Sequence, residues 1–147
     1  MSLKEVLMQD LKDAMKSRDE IKKNTVQMVR AAVLNVEKDE KVVLDDEGVI
    51  EVIAKEVKKR KDTLPVYEKS GRQELINNLK REIEILQGYL PEQLTAEELE
   101  EMIKAVIDSL GITSVKEMGK IMAEIMPKVK GRAEGKVINE IVRKHLQ

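Results

Sequence analysis

From Leu3 to Leu146 the apolar residues recur at three- and four-residue spacing, and no stretch alternates apolar with polar. That period lines one face of a helix, whereas a strand would need every second residue. Met118, Met122 and Met126 recur every four residues, and Ile121 and Ile125 fill the same face. The chain is therefore restricted to an all-α fold, helices packed on helices. Its side chains agree: 41% are apolar and 37% charged, with two Tyr, no Phe and no Trp. Such a supply predicts an aliphatic, methionine-rich core with ion-paired outer faces.

Breaks in the pattern predict two domains. The first is an N-terminal four-helix domain over residues 1–90. Ser2 and Glu5 form a capping box for its first helix, with Leu3, Leu7, Leu11 and either Ala14 or Met15 inward. A second helix over 19–39 buries Ile21, Met28, Val29, Ala32, Val33 and Val36, and small Ala32 predicts close helix approach. A connector follows, anchored by Val42 and Val43, and Asp45 or Asp46 caps a third helix over 47–69 with Val49, Ile50, Ile53, Val57 and Leu64 inward. Pro65 is expected to kink that helix rather than split it near Thr63, since the apolar spacing survives to Tyr67. A fourth helix over 72–90, with Leu75, Leu79, Ile83, Leu86 and Leu90 in register, packs antiparallel to the third.

Pro91 makes residues 91–94 the expected hinge. A small three-helix C-terminal domain follows over 95–147. Thr95 and Glu98 cap a helix over 96–109, which Gly111 stops. Ser114 and Glu117 form a capping box for the next helix, 115–126, which Pro127 ends. Lys128 to Arg132 read as a basic loop around Gly131. The last helix starts near Gly135, with Val137, Ile138, Ile141, Val142 and Leu146 on one side. The two glycines give the backbone freedom and allow a partner to come close. Gly119 suggests close helix contact.

The net charge of −1 conceals an asymmetry. Residues 91–117 hold two basic and seven acidic side chains, and residues 118–147 hold seven basic and three acidic. A basic end on a nearly neutral chain suits a polyanion, because charge dominates nucleic-acid affinity and backbone donors add to it. The candidate RNA-binding set is Lys120, Lys128, Lys130, Gly131, Arg132, Gly135, Lys136 and Asn139. Pairing of the two oppositely charged segments with each other is the plainer alternative. Lys58 to Lys61 form a second basic run, whose acids at i, i+4 indicate a solvated face.

Catalytic machinery is not expected. With no cysteine and one histidine, thiolate catalysis, disulfides and Cys-based zinc sites are excluded. There is no phosphate-binding glycine loop and no nucleophile elbow. Glu97, Glu98, Glu100 and Glu101 suit the positive end of a helix, and His145 the negative end. Hence no catalytic residue, no metal and no cofactor is expected. No apolar run reaches membrane-span length, and the N-terminus reads as neither a signal nor a transit peptide. A cytoplasmic location is the expectation.

The stretch MGKIMAEIMPKVKGRAEGKVIN, residues 118–139, resembles the signature of the GatB/YqeY family. KEVKKRKDT at 55–63, GRQEL at 71–75 and YLPEQLTAEEL at 89–99 support the resemblance along the whole chain. It departs at Glu134, where the family pattern has Asp, a better N-cap. Stand-alone YqeY-like members share their C-terminal domain with the tail of the B subunit of the tRNA-dependent amidotransferase. The resemblance implies an adaptor for tRNA or a similar structured RNA. It also implies, as an alternative, a module docking on an amidotransferase or an aminoacyl-tRNA synthetase. A third possibility, a carbon–nitrogen ligase with glutamine as amido donor, would need active-site domains this chain does not carry.

Overall fold

The computed structural model describes residues 1–146. Among them the chain forms seven α-helices and no strand: α1 Leu3–Ser17, α2 Glu20–Glu40, α3 Asp46–Ser70, α4 Gln73–Gln87, α5 Ala96–Leu110, α6 Met118–Val129 and α7 Gly135–Leu146. Its contacts divide it into two compact units, Met1–Leu90 and Pro91–Gln147.

In the first unit, α1 to α4 surround one aliphatic core built on Leu7, Leu11, Val26, Val29, Val49, Ile53 and Leu86. Polar side chains start the first three helices. Ser2 accepts from Glu5 N–H, Asp19 from Lys22 N–H and Asp45 from Gly48 N–H. A Cβ at Gly48 would stand 2.8 Å from Leu44 Cδ2, so a larger residue there would make the Leu44 side chain shift. Of the α1 alternatives, Ala14 is buried and Met15 exposed. Gly71 ends α3 at φ +71°.

Several expected positions differ. Met28 is exposed and Val26 is buried in its place. Val42 and Val43 are exposed rather than anchoring, Val43 at 87%. Leu44 holds the connector, packing on the core while its N–H donates to Glu37 Oε2 at 2.7 Å. On α4, Leu75 is exposed and Ile76 buried, so the inward face starts one residue later. The helix α3 runs through Pro65 without a split. Its buried face, Val52, Ile53, Val57 and Arg60, lies N-terminal to the exposed proline.

Arg60 is the main surprise in the basic run. Lys58, Lys59 and Lys61 are exposed, but Arg60 is buried. Its guanidinium lies 3.2 Å from Glu56 and 3.3 Å from Glu82. A buried arginine needs such partners, since an unpaired charge there would be strongly destabilising. The run is therefore not a continuous cationic patch.

The second unit packs α5, α6 and α7 around Leu99, Ile103, Val106, Ile121, Ile125, Val129, Ile138 and Val142. Thr95 caps α5 as expected: it accepts from Glu98 N–H and donates its hydroxyl to the Glu98 carboxylate. Gly111 stops it at φ +65°. Entry into α6 departs from a capping box. Ser114 accepts from Lys116 N–H and opens a 3₁₀ turn over 115–117 before α6 begins at Met118. No helix of the described residues is long and apolar enough to cross a membrane.

Candidate functional site

The core line of α6 is Ile121, Ile125 and Val129, all fully buried. The methionines flank it: Met118 and Met122 pack at its edge and Met126 is exposed. This line explains why Pro127 does not end the helix. Val129, two residues later, is sealed in the core and holds the last turn in place. Lys128 is thus a helical residue on the exposed side of that turn, not part of a loop. The loop proper begins at the cap residue Lys130 and ends where α7 starts at Gly135.

Gly131 sits at φ +75°, the left-handed region that glycine enters at little cost. Its turn is closed by Arg132 N–H donating to Val129 O at 2.7 Å. Three further bonds tie this turn to the segment before α5. Leu94 N–H donates to Arg132 O at 3.0 Å, Gln93 Nε2 to Gly131 O at 2.6 Å, and Arg132 Nε to Glu92 O at 2.9 Å. The residues read as a hinge thus brace the basic turn. Arg132 is half-buried, its Nε used for the brace.

Around this turn stand Lys128, Lys130 and Lys136, all exposed. The fold places them on the last turn of α6, on its cap and on the first turn of α7. Lys128 is 3.8 Å from Glu124 on its own helix. Such exposed pairs contribute about 0–1 kcal/mol and yield readily to another anion. Lys120 does not join the group. It lies eight residues back along α6, about 12 Å, and pairs with Glu117 at 3.6 Å. Asn139 is turned to its own helix, accepting from Arg143 Nε at 2.7 Å. Gly135 has an ordinary backbone and no atom within 4 Å of a built Cβ, and the same space surrounds Gly119. Neither marks a close approach within the fold.

Glu92, Gln93 and Leu94 are the residues that sequence reasoning missed as parts of the site. They act largely through backbone atoms, which no side-chain pattern encodes. His145, expected as a favourable helix end, reaches Glu100 of α5 at 3.1 Å. No group of three or more acidic or histidine side chains that could hold a metal ion occurs among the described residues. The arrangement is a hydrogen-bonded turn that carries ammonium and guanidinium groups, donors only.

Comparison with known proteins gives three findings. The chain is 29% identical to Altered inheritance of mitochondria protein 41, mitochondrial, of Pyrenophora tritici-repentis, over 96% of this chain and 77% of that one. It is 38% identical to the protein of that name from Kluyveromyces lactis, over 56% of this chain and 45% of the relative. Against that yeast relative, then, the match spans less than half of the relative's length. The expectation of a cytoplasmic location is overturned by these names, which assign the relatives to mitochondria. Absence of cysteine does not distinguish the two compartments. A family model described as Yqey-like protein matches residues 4–146, and the chain belongs to that family.

Proposed function

We propose that the second unit binds the backbone of tRNA, or of another structured RNA, through Lys128, Lys130, Arg132 and Lys136 around Gly131. The observation that carries this reading is the bracing of the turn by Glu92, Gln93 and Leu94. A loop held in one geometry does not lose its ordering entropy on binding. Exposed lysines around it meet phosphates as point charges, and Arg132 adds a planar donor set. The resemblance to the amidotransferase tail, a tRNA-contacting domain, supports the same reading. Recognition would rest mainly on shape and backbone, and the near-absence of aromatic residues argues against base stacking on single strands.

A second reading is a docking module for an amidotransferase or aminoacyl-tRNA synthetase. One observation favours it: Lys120 and Lys128 already face carboxylates, those of Glu117 and Glu124. Titration of a labelled tRNA pool with purified protein separates the two. RNA binding predicts micromolar affinity, weakened about tenfold or more by changing Lys128, Lys130 and Arg132 together to Ala. Absence of binding at low salt would leave the docking reading.

A further inference from the structure

Between α5 and α6 lies an open groove of about 280 Å³. Met102, Ala105 and Leu110 give it apolar walls, backed by the fully buried Ile125, and Leu110 is 45% exposed. Three polar side chains line it as well: Ser109, Glu124 and Lys128. Lys128 therefore belongs both to this groove and to the cationic turn.

We propose that the groove receives one unpaired nucleobase of the RNA held by that turn. The inference rests on the RNA reading above and specifies which part of the RNA enters. The occupant follows from the combination of chemistries. A nucleotide joins a flat, weakly polar base to an anionic phosphate, and the groove joins apolar walls to a single ammonium at its rim. The 3.8 Å pair between Lys128 and Glu124 is exposed, so a phosphate takes the ammonium over with little loss. That exchange frees the Glu124 carboxylate, an acceptor only. With the Ser109 hydroxyl it favours a base bearing an exocyclic amino group, as a carboxylate does when it accepts from cytosine. A base inside a helical stack cannot enter, whereas one already unpaired enters at the smallest energetic cost.

The test uses the full chain and three RNA duplexes: fully paired, with one bulged adenosine, and with an abasic site at the bulge. Affinities are read by fluorescence anisotropy at one salt concentration. Ala105→Leu fills the groove from an exposed helical position, where leucine is well tolerated. Burial of the bulged adenosine against aliphatic side chains should tighten binding several-fold, up to about tenfold, over the abasic duplex. Ala105→Leu should abolish that difference and leave the fully paired duplex bound as before. Equal affinity of the wild type for all three would overturn the groove while leaving the backbone reading intact. A preference that survives Ala105→Leu would likewise overturn it. Binding to none of the three would remove the groove and the RNA reading together.

Discussion

Two glycines four residues apart carry opposite expectations. Gly131 sits in the left-handed region, where a Cβ costs about 1 kcal/mol. Gly135 opens α7 with ordinary angles and space around it. Gly131→Ala should thus destabilise the second unit by about 1 kcal/mol, and Gly135→Ala should stabilise it by about 0.4–1 kcal/mol. Urea unfolding measures both, and equal effects would contradict the turn geometry. In the first unit, the Lys4 ammonium and then the Leu44 N–H hydrogen bond to Glu37 and hold its carboxyl below the usual range. A carboxyl depressed by folding stabilises above its ordinary range and loses that contribution as pH falls through it. Glu37→Gln should lower the unfolding midpoint at neutral pH, and the gap should close as pH falls through and below the ordinary glutamate range. At this scale sequence was a partial guide. Ser2, Asp19, Asp45 and Thr95 were legible as caps or candidate helix starts because capping is local chemistry. The burial of Arg60 was not, since its neighbours in the run are chemically alike and Glu82 reaches it from another helix.

At the scale of helices, the apolar period located all seven. What it missed lies at their ends. The helices α1 and α2 stop at Arg18 and Lys41, both at positive φ, where no glycine marks the stop. Pro65 and Pro127 both lie inside helices; beyond Pro127 the buried Val129 keeps the last turn of α6 packed, whereas the buried residues of α3 all precede Pro65. A proline inside a helix still carries a local penalty, up to about 3 kcal/mol against alanine. Pro65 is exposed, so Pro65→Ala should raise the stability of the first unit by about 1–3 kcal/mol. Unchanged unfolding in urea would mean that α3 has relaxed around its proline without strain.

For the whole molecule, each unit has its own aliphatic core. We expect residues 91–147 to fold alone, marginally, as befits so short a chain. A helical circular dichroism spectrum with a cooperative thermal transition would agree, and a non-cooperative one would show dependence on the first unit. The division of labour proposed for the chain follows: the second unit presents the braced cations. Sequence pointed to Lys128, Lys130, Arg132 and Lys136 through the charge imbalance of the last thirty residues. It hid the brace, which is made largely by backbone atoms of a segment that reads as a linker. The most direct test of the RNA claim is the slope of log affinity against log salt for a tRNA pool. Each lysine or arginine on a phosphate contributes a slope of about 0.9. With Lys128, Lys130 and Arg132 changed to Ala, the slope should become shallower by about 2–3. An unchanged slope would show that these side chains meet no phosphate, and would contradict the account.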